Sequence, residues 1–115
     1  MARLPSPPKE AEILKQCLQW LKLHGVLCWR QNQGAMQAEH KGKRRFLRFA
    51  GIDGISDIVG VLPPGGKLLA VECKRRGNKP TEAQRRFLDA VTAAGGIAIC
   101  VTSVEELADA LQLGE

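Results

Sequence analysis

"SDIVGVLPPGGKLLAVECK", residues 56–74, decides how this chain folds. Two apolar runs flank Pro63, Pro64, Gly65 and Gly66. Proline presets one turn torsion and glycine accepts positive φ at another, so the runs read as two strands of a hairpin. A turn centred between Pro64 and Gly65 sets Leu62 across from Lys67 and, counting outward, Asp57 across from Glu72. The two carboxylates then share one face, with Cβ atoms about 5 Å apart. Glu72 and Lys74 are two apart in a strand and share that face, whereas Val71 and Cys73 point the other way.

Charges inside apolar strands cost stability unless they are paired or bind something. Two carboxylates facing across strands repel, and a divalent cation turns that repulsion into attraction. Mg²⁺ takes one or two carboxylates and completes its shell with water and phosphate oxygens. A bound metal polarises a phosphate and activates water, and a lysine beside it orients the water or offsets charge building on phosphorus. Phosphodiester hydrolysis needs this arrangement. The competing reading, that Lys74 merely neutralises carboxylates at a sheet edge, is weakened by the matched register of Asp57.

Working outward, "PSPPKEAEILKQCLQWLKLHG" predicts a helix over about residues 8–24. Leu14, Cys17, Leu18 and Leu21 form its apolar stripe, with Ser6 as a candidate cap and Gly25 as the stop. "VLCWRQN" is a short strand, and "RFLRF" is another. The polar, glycine-bearing stretch 34–44 is expected to be a mobile loop, and residues 1–7 a flexible end. After the hairpin, Thr81 and Gln84 have capping-box spacing at the head of a helix that ends on Gly95 and Gly96. "IAICVT" is a strand, and Ser103 with Glu106 heads a last helix. The predicted order is α-β-β-β-β-α-β-α in an α/β chain (α+β, mixed sheet), expected to be one domain over residues 1–115.

The chain carries 17 basic and 12 acidic residues, a net charge of +5 that permits binding to a polyanion. Cys17, Cys28, Cys73 and Cys100 form no CxxC pair, and His24 and His40 have no metal-ligand spacing. The cysteines read as small buried thiols of a reducing compartment, so a cytoplasmic location is expected. No apolar run is long enough for a membrane span, and the first residues lack the apolar core of a secretory signal.

The stretch from "GIDGISD" through "VECK" to the helix bearing Gln84 resembles the VRR-NUC family, the virus-type replication-repair nucleases of the PD-(D/E)XK superfamily. The family pattern is an acid on the first helix, then G-x-x-D, E-x-K and a glutamine on the next helix. Here it is matched by Gly54 with Asp57, by Glu72 with Lys74, and by Gln84. The resemblance extends from Glu10 to about Leu107. It implies a restriction-endonuclease-like core and metal-dependent DNA cleavage leaving a 5′-phosphate. It also implies Mg²⁺ or Mn²⁺ held by Asp57, Glu72 and the Cys73 backbone carbonyl, with Lys74 assisting the nucleophile and Gln84 positioning it. Small stand-alone, phage-type members resemble Holliday-junction resolvases and act as homodimers, which implies branched DNA as partner in a bacterial cell or phage-infected host.

Glu10 and Glu12 both qualify as the first-helix acid; phase favours Glu10, four residues before Leu14 on the inward stripe. Asp53 reads as a turn residue or a third acid. Ser56 is a candidate phosphate contact or a plain strand hydroxyl. "WRQNQG" offers Arg30 to a phosphate and Asn32 to hold the loop, or is a solvated strand end; Trp20 and Trp29 read as core rather than as base-stacking platforms. Lys43, Arg44 and Arg45 form one basic group, and Arg75, Arg76 and Lys79 form another that starts at the proposed site. Both suit a DNA backbone track, with little sequence preference. Two functions therefore compete: a structure-selective endonuclease, and a nuclease fold that binds nucleic acid without cutting.

Overall fold

The computed structural model describes residues 6–31, 35–40, 43–48 and 51–113, the segments 35–40 and 43–48 as backbone. In chain order the elements are α1 (Glu10–Leu23), β1 (Leu27–Arg30), β2 (Ala35–His40), β3 (Lys43–Arg48), β4 (Ile58–Leu62) and β5 (Lys67–Cys73). They are followed by α2 (Glu82–Ala93), β6 (Ile97–Val101) and α3 (Val104–Leu111). Four strands form a mixed sheet in the order β1-β4-β5-β6, antiparallel except for the β5–β6 pair. The parallel pair requires a crossover, which α2 supplies.

The hairpin forms with the register its turn chemistry dictates. Leu62 faces Lys67 and Ile58 faces Val71. Gly66, at φ 79°, closes the turn with its N–H on the Leu62 carbonyl at 2.8 Å. Alternation then sorts the side chains. Ile58, Leu69, Val71, Cys73 and Val101 face α1 and α3, where they bury with Ile13, Cys17, Leu21 and Leu107. Ala70 on the opposite face packs against Leu88 and Val91 of α2. Burying one such Leu or Val side chain contributes about 1.5–3 kcal/mol, so the two clusters hold the sheet between its helices.

Three expectations are corrected here. Stretch 34–44 contains a strand, β2, paired antiparallel with β3 as a separate two-stranded sheet, so one strand more precedes α2 than the sequence suggested. Ser6 does not cap α1. Lys9 holds that position without a side-chain cap bond, because a residue preceding proline is kept out of the helical region, and Pro7 and Pro8 follow Ser6 directly. Trp29 is 43% exposed rather than core, since β1 is an edge strand and α2 packs on β5 and β6. Trp20 is half-buried, stacked on His24 with ring centroids 4.0 Å apart. Among the described residues no helix is long and apolar enough to cross a membrane. Asn32 lies outside the described residues, as do the side chains of Lys43, Arg44 and Arg45.

Candidate active site

Asp57 stands one residue before β4, and Glu72 one residue before the end of β5. The Asp57 carbonyl accepts the Gln31 N–H at 2.7 Å, so the backbone of Asp57 is engaged with the β1 side. Carried one step past the Ile58–Val71 pair, the register sets Asp57 against Glu72 in a position of the non-hydrogen-bonded kind, in which side chains approach most closely. The Asp57 carboxylate curls back to accept the Cys73 N–H on Oδ2 at 2.9 Å. That amide belongs to the peptide joining Glu72 to Cys73, so the Asp57 carboxylate is held against β5 next to Glu72. The Cys73 carbonyl leaves the strand on the same side as its N–H, toward Asp57. The Lys74 N–H points the other way, to the Val101 carbonyl at 2.9 Å.

Glu72 is 1% exposed, unusual for a carboxylate. Gln84 Nε2 donates to its Oε1 at 3.1 Å. Gln84 is itself held by the capping box: its Oε1 accepts the Thr81 N–H at 2.8 Å while its own N–H bonds Thr81 Oγ1. One amide thus terminates α2 with its oxygen and fixes Glu72 with its nitrogen. Gly54 makes this possible. It sits at φ 75°, and a Cβ there would lie 2.3 Å from the Ala83 backbone and 2.5 Å from the Gln84 nitrogen. The loop before Asp57 and the first turn of α2 are in direct backbone contact, and only glycine fits between them.

Thiols surround the site without joining its chemistry. The Cys73 thiol is pushed far up by its hydrogen bond with Cys17, by burial and by the nearby Asp57 and Glu72 charges, so it stays neutral. Cys100 lies across from Glu72 in the parallel register. Burial and the Glu72 charge raise its thiol, partly opposed by Lys74 and Arg85.

Glu10 is tied to the loop after β5 by a residue that sequence reasoning passes over. Asn78, in the loop after β5, donates to Glu10 Oε2 at 3.3 Å. Glu10 is half-buried and Glu12 exposed, which agrees with the phase argument. Arg75, Arg76 and Lys79 are exposed on that same loop, while Asp53 is exposed in the turn before Asp57. Arg86 is engaged with Glu82 at 3.2 Å along α2.

Two candidate contacts do not belong to the site. Ser56 is fully buried, so its hydroxyl cannot reach a phosphate. Arg30 pairs with Ile58, whose side chain is in the α1 core, so Arg30 takes the opposite face from Asp57 and lines a groove with Leu14 and Leu18 of α1.

Gln84→Glu tests the double role of that amide. The new side chain keeps an acceptor for the Thr81 N–H but loses the donor to Glu72 and sets a second carboxylate against it. A loss of about 1–3 kcal/mol is expected at pH 7. The deficit should shrink near pH 4, where protonating one carboxyl relieves the repulsion. Urea midpoints at both pH values measure it; a deficit independent of pH would mean that Gln84 and Glu72 do not interact.

The candidate donor set is all oxygen: the Asp57 and Glu72 carboxylates and the Cys73 carbonyl. That chemistry fits Mg²⁺ or Mn²⁺, which need only one or two carboxylates and keep several waters. Among the described residues no group of three or more His, Cys, Asp or Glu gathers as a metal cage.

Similarity to known proteins bears on the fold and the family. Two solved structures share the fold. One, titled "VRR_NUC domain", has a TM-score of 0.61 at 18% identity and covers 91% of this chain and 97% of its own. The other, "VRR_NUC domain protein", has a TM-score of 0.59 at 19% identity and covers 96% of this chain and 93% of its own. No curated protein matches the chain by sequence. The VRR-NUC domain family model matches residues 8–105, from just before α1 into the first turn of α3 and across every residue of the carboxylate site. The chain belongs to the VRR-NUC family, and its domain is of the nuclease type.

Proposed function

We propose that the protein is a divalent-metal-dependent endonuclease that hydrolyses DNA phosphodiester bonds, selecting branched or junction structures, and that it works in the cytoplasm as a homodimer. The observation that carries this reading is the Asp57 carboxylate reaching across to β5, where its Oδ2 accepts the N–H of Cys73, the residue after Glu72, at 2.9 Å. A module that only bound DNA would gain nothing from opposed carboxylates, one of them buried.

Asp57, Glu72 and the Cys73 carbonyl would hold Mg²⁺ or Mn²⁺, which supplies polarisation of the scissile phosphate and a water acidic enough to attack it. Gln84 holds the Glu72 carboxylate in place through the 3.1 Å bond. Lys74, one residue past the end of β5, would orient the attacking water and offset charge gathering on the phosphate. Glu10, tied to the Asn78 loop, supports the shell from the α1 side. Arg75, Arg76 and Lys79 track the backbone at the mouth of the site, with Lys43, Arg44 and Arg45 extending the basic track. Two copies related by a two-fold axis would present two such sites to paired strands of a junction.

The decisive experiment offers the purified protein four-way junctions, flaps, forks, single strands and plain duplex with Mg²⁺, Mn²⁺ or EDTA. Nicking that requires metal and favours branched substrates is expected. Salt-sensitive binding with no cleavage under either metal would leave the non-cleaving binding module as the function. In the same samples, Arg76→Ala and Lys79→Ala should each flatten the salt dependence of binding by about one unit of slope.

A further inference from the structure

The four strands carry one row of side chains across the sheet. Gln31 is joined to Asp57 by the 2.7 Å backbone bond, Asp57 continues the register of the Ile58–Val71 pair toward Glu72 and bonds the Cys73 N–H, and Glu72 is beside Cys100. Gln31 thus occupies the face that Arg30, one residue earlier, does not. Trp29 lies two residues back on the same face, paired with Val59. Its indole Nε1–H donates to Gln31 Oε1 at 3.1 Å. That bond fixes the amide with its oxygen toward the indole and leaves its NH₂ as the donor end. Trp29 is 43% exposed although α2 covers the other half of this face, so an aromatic surface stands open beside the carboxylates.

We propose that Trp29 and Gln31 form the contact for the nucleotide flanking the scissile phosphate: an unstacked base lies on the indole, and the Gln31 amide donates to a phosphate oxygen. The inference rests on the nuclease reading and adds a source of selectivity to it. The face is continuous with the carboxylate row, and the chain as a whole, at a net charge of +5, favours a polyanion as partner. Stacking on an aromatic side chain is indifferent to base identity but needs a base that has left its own stack. Flush duplex offers none, whereas flaps, junction centres and single strands do.

Trp29 and Trp20 are the two tryptophans of the chain, so in a Trp20→Phe background the indole emission reports on Trp29 alone. In EDTA, where cleavage is off, titration with a single-stranded oligonucleotide or a flap should quench that emission. A flush duplex of equal phosphate content should quench it little. Trp29→Ala should weaken binding of the flap by about 5- to 100-fold, as measured by anisotropy of a labelled strand, with a smaller effect on flush duplex. Trp29→Phe should retain most of the affinity, while Gln31→Glu should lose more than Gln31→Ala because it sets a negative charge against the phosphate. Binding by anisotropy with unchanged emission would overturn this assignment alone. So would a Trp29→Ala variant whose sedimentation changes while its DNA affinity does not, since the face would then cover a second copy. Absence of any DNA binding by the wild-type chain would remove the nuclease reading and this inference together.

Discussion

Replacing Glu72 with glutamine is expected to lower the cleavage rate by about 10²- to 10⁴-fold while the protein folds and binds DNA as before. The size follows from what the carboxylate would do. Metal stabilisation of the transition state is worth several kcal/mol, and each 1.36 kcal/mol is tenfold in rate. Folding is spared because the substitution is nearly isosteric, and its amide oxygen still accepts the Gln84 Nε2–H that now reaches Oε1 at 3.1 Å. Stability without metal should be unchanged or slightly raised, because a charge that is 1% exposed and faces another carboxylate is replaced by a neutral group. Added Mg²⁺ or Mn²⁺ should raise the melting temperature of the wild type and not that of Glu72→Gln, since a ligand that binds only the folded state stabilises it by mass action. Asp57→Asn should behave alike. Lys74→Ala should lose cleavage but keep the metal-induced rise, which separates a residue that acts on the water from one that holds the ion. A Glu72→Gln protein cutting at the wild-type rate would remove the carboxylate pair from the chemistry.

What could be read from the sequence is what short-range chemistry controls. Pro64 and Gly65 sit between two strands only a turn apart, so the register had no room to slip, and the structure pairs Leu62 with Lys67 through to Ile58 with Val71 as the turn demands. The Thr81 and Gln84 box is similarly local. That the same Gln84 amide reaches Glu72 requires the fold, because nothing near position 84 in the chain states where β5 will lie. The phase of β1 is the harder problem. No turn joins β1 to β4; a long segment separates them, and a shift of one residue exchanges the two faces of a strand. Arg30 therefore reads as a natural phosphate ligand, while the residue beside Asp57 is Gln31. Ser56 fails on the same ground, since being next to Asp57 in sequence does not put it on the same side. Strand β2, "AMQAEH", escapes because it has no β-branched residue and little alternation, the two signals on which strand prediction relies. The all-oxygen donor set and its glutamine are legible as types and spacings; Asn78 and the Trp29–Gln31 pair are not, because each depends on contacts that only the assembled sheet creates.

Gly54→Ala is expected to cost about 2–4 kcal/mol of stability and to impair whatever activity the site has, although residue 54 carries no chemistry. Two penalties coincide there. At φ 75° an alanine suffers the clash of the left-handed region, roughly 1–2 kcal/mol. In addition its Cβ would fall 2.3 Å from the Ala83 carbonyl carbon and oxygen, and these are backbone atoms of a helix that cannot swing aside. The strain can be relieved only by moving the loop before Asp57 away from the first turn of α2, and either partner carries a site residue with it. Two neighbouring glycines divide the effect. Gly51, in the same loop, has an ordinary φ and open space within 4 Å of where an alanine methyl would stand, so Gly51→Ala should be close to neutral. Gly77, in the loop after β5, has φ 93° but open space around it, so Gly77→Ala should show the torsional cost alone. Stability from urea unfolding should therefore fall in the order Gly51→Ala, Gly77→Ala, Gly54→Ala. Metal-dependent cleavage should fall steeply only in the last, because only there is the Gln84 bond to Glu72 disturbed. If Gly54→Ala proved no less stable than Gly77→Ala, the close approach of the loop to α2 would not be what holds Gln84 over the carboxylates.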